Sequence, residues 1–358
     1  MKTLKILDWP QKRFRSETHP FYKWNKQFRE HGLKVSCQHD HLDKKFMEAD
    51  YALIHSRYFD MGKNIDNGAR QDVEYLIEYL SKLRQNVGKV IWFDAADSTG
   101  SSDFGLIPYV DVFLKKQLLK DNNYYLKPRS ENDLRIWMNR GNSPATYSFV
   151  PCPANELHKL KVGWNIGLND YRYFGYKLSR LSNYLPYSMY PLKYTEVLSN
   201  RTLDLTFRGT IHQERTRAYR ISEQRNIILD ALKKINGKIA SGPPIHKSSY
   251  WKELRSSKLS ISPYGWGEIC YRDFETFIAG ALLIKPSMEH LKTYPDIFKP
   301  LETYIPITWD LANLEEGIDY LIANFSDYQH IAKHGQEQYK NILADADDFV
   351  CNILNAIT

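Results

Sequence analysis

The chain has 358 residues, 42% of them hydrophobic, and a formal net charge of +7. This length suffices for two domains of about 150 residues each, and the charge suits anionic partners as well as simple solubility. Four scattered cysteines without a CxxC pair do not indicate a zinc site or a disulfide framework. Because no signal peptide or membrane-spanning run is evident, we expect a cytoplasmic protein, either soluble or peripheral to a membrane.

Apolar strands alternate with helices in the first third of the chain, which predicts an α/β domain. The strands are expected at Leu4–Leu7, Leu33–Cys37, Tyr51–His55, Lys89–Phe93 and Val110–Lys115, and the helices at Pro20–Arg29 and Ala69–Gln85. Residues 121–200 are rich in aromatic residues and prolines and are expected to be mostly loops. The first domain is therefore predicted to cover residues 1–190.

Two acidic residues follow the strand that ends at Phe93. Asp94 and Asp97 lie in a segment rich in Ser, Gly and Asp. A carboxylate at a strand end can act as a general base, and two acids three positions apart can perturb one another's pKa. The alternative is that Asp97 caps a turn or a helix. Asp8, His19 and His55 are the other candidates for the base.

A second set of elements begins near residue 200. Strands are predicted at Leu203–Phe207, Lys238–Ala240 and Thr303–Thr308, and helices at Ile221–Ile235, Tyr250–Arg255 and Tyr328–Ile357. The first of these strands runs into Arg208 and Gly209, which would offer a guanidinium and backbone amides at the strand end.

The most informative segment runs from Leu259 to Pro286. It predicts a strand at Leu259–Ile261, a glycine-bracketed loop, a helix from Ile269 to Ala279 and a second strand at Ala281–Ile284. The loop residues are Tyr264, Gly265, Trp266, Gly267 and Glu268. Such a βαβ unit places a loop and a helix N-terminus at the carboxyl end of a parallel strand, where ligands and phosphates bind.

Arg272 and Glu275 are three residues apart and share one face of this helix. The arginine can bind two oxygens of a diphosphate, and the glutamate can accept hydrogen bonds from a ribose. The alternative is an ordinary surface Arg–Glu pair beside a turn.

The order of strand, glycine-rich loop, helix with Arg and Glu, and then AGALLIKP resembles the nucleotide-sugar-binding half of GT-B glycosyltransferases. It is most similar to bacterial and viral glycan-assembly enzymes and more distantly to exostosin-type and fucosyltransferase C-terminal domains. The resemblance implies two Rossmann-like domains facing a cleft, with the nucleotide-sugar domain at residues 200–330. It also implies a C-terminal helix at 331–358 that packs back on the first domain.

The resemblance further implies that Glu275 holds the donor ribose and that Arg272 or Arg208 neutralises the diphosphate. Retaining members often carry a second glutamate, but the corresponding position here is Gly267, one residue away from Glu268. We therefore expect inversion, with Asp94 or Asp97 as the base.

The expected function is transfer of a sugar from a nucleotide-activated donor to a glycan or glycolipid, in surface polysaccharide or glycan assembly. No metal or other cofactor is expected. A non-catalytic glycan- or nucleotide-binding protein of the same fold is the alternative. Because no nucleic-acid-binding module is recognisable, we expect no nucleic-acid partner.

Overall fold

The computed structural model describes residues 1–8, 17–60, 73–100, 102–130, 148–172, 181–212 and 221–358. The chain divides into two compact units. Unit 1 comprises Met1–Leu192, Leu291–Pro295 and Asp345–Thr358, and unit 2 comprises Lys193–His290 and Asp296–Ala344.

Unit 1 is built on a parallel sheet. Among its described residues the sheet has six strands, in the order β2-β1-β3-β4-β5-β9. Their bounds are β1 Lys2–Leu7, β2 Leu33–Gln38, β3 Tyr51–His55, β4 Lys89–Asp94, β5 Val112–Lys115 and β9 Leu160–Val162. All five neighbouring pairs run parallel. The strand order reverses between β1 and β3, and the carboxyl ends there form the edge where α/β proteins bind ligands.

Short strands and helices complete unit 1. The strands are β6 Gln117–Leu119, β7 Arg129–Ser130, β8 Ser148–Phe149 and β14 Leu291–Thr293; β6 pairs with β14, and β7 with β8. The α-helices are α1 His19–Lys23, α2 Asn25–Glu30, α3 Arg57–Asp60, α4 Val73–Asn86 and α10 Ala346–Ile357. Short 3-10 helices lie at Phe46–Glu48, Phe104–Tyr109, Asn122–Leu126, Ala154–Lys159 and Ile166–Leu168.

An aromatic cluster joins α10 to the start of unit 1. Phe349 of α10 contacts the rings of Phe21 and Phe28 at 5.4 and 5.9 Å. Trp164 is fully buried, stacks on Phe93 with 3.9 Å between ring centroids, and donates its indole N–H to the Glu17 carbonyl. Large aromatic side chains bury much apolar area, so this cluster holds the last helix within unit 1.

Unit 2 is also built on a parallel sheet, of five strands among its described residues, in the order β11-β10-β12-β13-β15. The strands are β10 Leu203–Arg208, β11 Ile239–Gly242, β12 Ser257–Ile261, β13 Leu282–Pro286 and β15 Ile305–Ile307. The order corresponds to 2-1-3-4-5 of doubly wound proteins, whose ligands bind where the order reverses. That switch point lies between β10 and β12.

The helices of unit 2 pack against this sheet. They are α5 Ser222–Leu232, α6 Lys247–Ser256, α7 Tyr271–Ala279, α8 Leu314–Ala323 and α9 Phe325–Ala344. Gly280 ends α7 with φ of 65°, and a Cβ at this position would lie 2.4 Å from the Thr195 carbonyl oxygen. Glycine is therefore required both for the left-handed cap and for the close packing.

Two predicted helices are divided in the structure. The segment Pro20–Arg29 forms α1 and α2, which meet at Trp24. The last segment forms α9 in unit 2 and α10 in unit 1, and Asp345 caps α10 by accepting a hydrogen bond from the Asp348 amide. Among the described residues, no helix has the length and apolar character that crossing a membrane requires.

Candidate functional site

Arg272 lies across the switch point of the unit 2 sheet. Its Nη1 donates to the carbonyl of Ile261, the last residue of β12, at 3.3 Å. Its Nη2 donates to the carbonyl of Arg208, the last residue of β10. The guanidinium also lies over the Phe207 ring, 5.0 Å from its centroid. The second residue of α7 is thus fixed at the edge of the sheet where ligands bind.

A second arginine lies beside it. Arg225 of α5 is half-buried and donates to the Thr210 carbonyl at 2.6 Å. Burial is the main cause that lowers the pKa of Arg225, and the charge of Arg272 lowers it further. Within the described ranges neither guanidinium has a carboxylate partner. Half-buried cations without counter-ions are costly, so two of them beside a helix N-terminus favour a bound anion.

Arg208 is arranged differently. Its guanidinium forms a bidentate pair with Glu253 of α6, at 2.9 and 2.8 Å, and Nη1 donates to the Ser241 carbonyl. Its charge is therefore already compensated. Gly209 follows, and a Cβ there would lie 3.0 Å from the Phe207 ring. Arg208 supports the site through its carbonyl, and Gly209 lets the chain pass close to Phe207.

The loop after β12 is folded inward except at one residue. Tyr264 is buried, and its hydroxyl donates to the Ser287 carbonyl at 2.6 Å. The Gly265 amide donates to the Gly267 carbonyl at 2.9 Å, and Glu268 is fully buried. Trp266 is exposed. Of the three non-glycine loop residues predicted to bind a ligand, only Trp266 presents its side chain to solvent.

Glu275 lies one turn further along α7, where two residues of α6 contact it. Tyr250 donates its hydroxyl to Oε2 at 2.8 Å, and Lys247 Nζ lies 3.4 Å from Oε1. Burial and the negative charge of Glu275 raise the pKa of Tyr250, so its hydroxyl remains a donor. Each carboxylate oxygen can accept more than one hydrogen bond, so Glu275 can also accept bonds from a diol.

A buried ion pair supports the start of α7. Asp273 and Lys285 are fully buried, with 3.0 Å between Oδ2 and Nζ. Asp273 also accepts hydrogen bonds from the Cys270 amide and the Ser262 hydroxyl. Because Asp273 immediately follows Arg272, the pair sets the position of that arginine at the sheet edge.

The two acids predicted in unit 1 have different environments. Asp94 is buried; Oδ2 pairs with Lys115 at 3.0 Å and Oδ1 accepts the Ala96 amide. In Asp97, Oδ1 accepts from both Arg57 and Lys116, at 2.9 and 2.8 Å, and the side chain is 43% exposed. Its Oδ2 has no protein partner in the part of the chain that the structure describes. Of the two acids, Asp97 is therefore the one whose side chain is exposed and keeps an oxygen without a described partner.

From the sequence we expected Asp94 and Asp97 to perturb one another's pKa, but the structure indicates a different cause for Asp97. Burial raises the pKa of Asp97, but the charges of Lys116 and Arg57 outweigh burial and hold the pKa below its usual range. Asp97 is therefore ionised at neutral pH, because of its cationic neighbours and not because of Asp94.

The cations around Asp97 belong to a larger buried network. Glu17 Oε1 lies 3.5 Å from Lys116, and Oε2 lies 3.4 Å from His55 Nε2. Burial raises the pKa of Glu17, but the hydrogen bond to His55 and the charge of Lys116 hold it well below its usual range. The network orients Lys116, which in turn holds one oxygen of Asp97.

The other candidate bases are enclosed by protein groups. Asp8 is buried and accepts from the Thr18 hydroxyl at 2.9 Å. His19 is buried, contacts Asn183 and Tyr187, and has its pKa lowered to about 4, mainly by burial. His55 is fully buried. Of the four groups, only Asp97 has an exposed side chain and a carboxylate oxygen without a described partner.

Several residues of these sites were not predicted from the sequence: Glu17, Arg57, Lys116, Arg225, Tyr250 and Lys285. Lys115 and Lys116 carried a usable signal, since two lysines directly follow the apolar run VFL. Charged residues within a buried strand are rarely found without partners. Arg225 carried no such signal, because an arginine in the first turns of an amphipathic helix is common on solvent-facing surfaces.

No group of three or more His, Cys, Asp or Glu side chains is placed to hold a metal ion, as far as the described residues extend. The metal independence expected from the sequence remains a prediction.

A scan against family models finds no match, and a search of curated proteins finds none. Solved structures do match. One is an alpha-glucosyltransferase in complex with UDP and a 13-mer DNA, with 12% identity, a TM-score of 0.48, and coverage of 99% of this chain and 98% of that one. Because DNA is present in this complex, our prediction that nucleic acid is not a partner is wrong. It rested on the lack of a separate nucleic-acid-binding module.

Two further solved structures match the chain. HepE of Anabaena in complex with UDP-glucose has 9% identity and a TM-score of 0.45, and the match covers 100% of both chains. BGT of T4 phage in complex with its UDP-glucose substrate has 10% identity and a TM-score of 0.50. That match covers 100% of this chain and 99% of the phage protein. The match to the T4 phage structure and the two parallel sheets together confirm the predicted fold class. This chain has the GT-B fold of glycosyltransferases.

Proposed function

We propose that the protein is a glycosyltransferase that takes a sugar from a nucleoside diphosphate. The observation that carries this proposal is the pair Arg225 and Arg272, two half-buried guanidiniums at the switch point of unit 2 without a described carboxylate partner. A diphosphate supplies the missing negative charge. Glu275, on the same helix, is proposed to accept hydrogen bonds from the ribose. UDP-glucose is the first donor to test, since the T4 phage structure of this fold contains it.

Asp97 of unit 1 is proposed as the general base. Its free oxygen, Oδ2, would take the proton of an acceptor hydroxyl while the acceptor oxygen forms a bond to the anomeric carbon. The bond from that carbon to the diphosphate breaks, and the electron pair leaves with the nucleoside diphosphate. A single displacement of this kind inverts the anomeric configuration.

The acceptor is proposed to be a glycan or glycolipid in polysaccharide assembly. The DNA-bound match makes nucleic acid a second acceptor class to test. The decisive assay is release of UDP from UDP-glucose with either acceptor class. Thermal shifts with UDP, GDP, dTDP and CMP come first, because a ligand that binds only the folded state raises the melting temperature. Donor binding without transfer to any acceptor would favour a non-catalytic binding protein.

Replacing Arg272 by Ala should weaken UDP binding about 10- to 150-fold. The reason is the loss of charge-assisted hydrogen bonds worth about 1.5–3 kcal/mol. Isothermal titration calorimetry measures the effect directly.

Arg255→Ala is the matched control. Arg255 is also half-buried and also donates to a backbone carbonyl, that of Lys193, but it lies at the end of α6 just before β12 begins. Arg255 is therefore at the edge where the parallel strands of unit 2 begin, opposite the edge of Arg272. Equal losses of UDP affinity in the two variants would contradict a specific diphosphate site at Arg272.

Sugar transfer should persist in EDTA. Arg225, Arg272 and the N-terminus of α7 are expected to stabilise the leaving diphosphate. Transfer rates are compared before and after chelation and after addition of Mn²⁺. Complete loss of transfer with EDTA, restored by Mn²⁺, would show that a metal carries this role.

A further inference from the structure

A cavity of about 410 Å³ lies in unit 1 beside β2, an outer strand of the described sheet. Its walls come from three parts of the chain: α1 with the start of α2, residues 35–37 of β2, and the loop residues Asn183 and Tyr184. Sites for small ligands typically have volumes of about 300–1,000 Å³. The cavity is therefore large enough for a small organic ligand, and neither Asp97 nor any residue of the donor site lines it.

Two tyrosine rings form a corner of the cavity. Tyr22 of α1 and Tyr184 meet edge to face, with 5.6 Å between the ring centroids and 78° between the ring planes. The Tyr22 hydroxyl is hydrogen-bonded to the side chain of Cys37, which fixes its ring against β2. Tyr184 is 71% exposed. Its ring is therefore open to a ligand that packs on aromatic surface.

Three polar groups around the cavity can bind a ligand. Asn25 donates Nδ2 to the Val35 carbonyl at 3.1 Å, which leaves its Oδ1 as an acceptor. Asn183 Oδ1 contacts His19 Nδ1 at 2.7 Å, which leaves the amide nitrogen of Asn183 as a donor. The third group is the hydroxyl of Ser36, which can donate and accept. These three groups have no partner among the described residues, and all three side chains are half-buried.

The loop part of the wall is held from the inside by Arg172. Its buried guanidinium donates to the carbonyls of Ser182 and Leu185, at 2.9 and 2.8 Å. These two carbonyls lie on either side of Asn183 and Tyr184 in the sequence. The two loop residues are thus positioned before a ligand binds, which lowers the free-energy cost of ordering them.

The side chains around the cavity indicate the class of ligand. None of the described residues that line it is charged. A phosphate or carboxylate would lie there without a counter-charge, which is costly, so the ligand is neutral. A sugar ring is neutral, has hydroxyls that pair with amides and hydroxyls, and has a C–H face that packs on aromatic rings.

The geometry favours a sugar over a nucleobase, which is also neutral. A flat base stacks best between parallel surfaces, whereas the rings of Tyr22 and Tyr184 are nearly perpendicular. A sugar ring is thicker and can contact both walls of such a corner. We propose that this cavity binds a sugar unit of a neutral glycan.

The cavity is separate from the place of sugar transfer proposed at Asp97. Asp97 follows β4, and β2 lies three strand spacings from β4, about 14 Å at about 4.8 Å for each spacing. A single sugar ring does not span this distance. If the proposed sugar transfer is correct, the acceptor is therefore a glycan of several units, with a distal unit in the cavity. Glycan binding to the cavity does not itself require transfer.

The test is binding of the full chain to an array of neutral oligosaccharides built from glucose, galactose, mannose and N-acetylglucosamine, without a nucleotide present. At least one of these oligosaccharides should bind, and calorimetry measures its affinity. Tyr184→Ala should weaken that affinity about tenfold through the loss of aromatic surface. Ser36→Val should weaken it about 2- to 10-fold, because one hydrogen-bonding group is lost. UDP affinity should stay unchanged in both variants, since UDP is assigned to unit 2.

The matched control is Tyr190→Ala. Tyr190 belongs to the same loop and is 46% exposed, but it does not line the cavity. This variant should bind the oligosaccharide like the unchanged protein. Thermal unfolding checks that each variant folds, and Ser36→Val serves if Tyr184→Ala does not.

Three results would overturn the proposal: no binding to any oligosaccharide of the array, equal losses in Tyr184→Ala and Tyr190→Ala, or binding of a nucleoside that depends on Tyr184 while no oligosaccharide binds. Failure of this inference is distinct from failure of the proposed function. Sugar transfer together with glycan binding that is insensitive to Tyr184 would remove this inference alone. Glycan binding that depends on Tyr184, in a protein that does not bind UDP, would support the cavity site and contradict the proposed transfer.

Discussion

Replacing Asp97 by Asn should lower the turnover of sugar transfer by about 10²–10⁴-fold, the contribution typical of a general base. UDP affinity should stay unchanged, because the variant alters unit 1 and the proposed donor site is in unit 2. Steady-state transfer rates and calorimetric UDP binding, measured on the same preparation, separate the two effects.

Asp94→Asn is the control for this prediction. It should leave Lys115 without its buried counter-ion and therefore lower stability, while the folded protein keeps most of its turnover. If Asp94→Asn instead abolishes turnover in a stable protein and Asp97→Asn does not, the base has been assigned to the wrong acid.

The pH dependence of turnover gives a second test of Asp97. Because Lys116 and Arg57 hold its pKa below the usual range, its carboxylate is present at neutral pH and is lost only as the pH falls below that range. Turnover should therefore show no acidic decline between about pH 5 and 7. A decline centred near about pH 6.5 would indicate a histidine base instead.

Replacing Lys285 by Met should destabilise the protein by about 3–5 kcal/mol, because Asp273 is then left charged and fully buried without its partner. Methionine has an apolar chain of similar length, so the loss of stability comes mainly from the missing charge. Urea unfolding measures the loss. UDP affinity should fall as well, since Asp273 fixes the start of α7 beside Arg272.

The control is Lys258→Met, which breaks the ion pair between Lys258 and Asp204 in the same unit. That pair is partly exposed, with 2.7 Å between its charged atoms. Such pairs typically contribute about 0–1 kcal/mol. Adding Asp273→Asn to Lys285→Met should recover part of the stability, because no buried charge remains. Equal losses of unfolding free energy for Lys258→Met and Lys285→Met would contradict the prediction that breaking a buried ion pair costs more than breaking a partly exposed one.

Much of the fold was determined by local sequence. The apolar runs at Tyr51–His55, Lys89–Phe93 and Leu203–Phe207 are strands in the structure, within one residue of their predicted bounds. The helix of the Leu259–Pro286 segment ends at Ala279, where Gly280 takes the left-handed cap. These features depend on hydrophobic periodicity and on glycine at positive φ, both of which are properties of neighbouring residues.

The sequence alone also placed Arg272 and Glu275 on one helix at the ligand-binding edge of a parallel sheet. Tertiary structure decided which charged groups are available. Asp94 and Asp97 are equivalent in the sequence, yet one is buried against Lys115 and the other keeps an oxygen without a described partner. Arg208 and Arg225 differ in the same way, since Glu253 neutralises only the first. These partners lie 19 to 45 positions away along the chain. Burial and pairing of charges depend on such distant contacts, which no local pattern encodes.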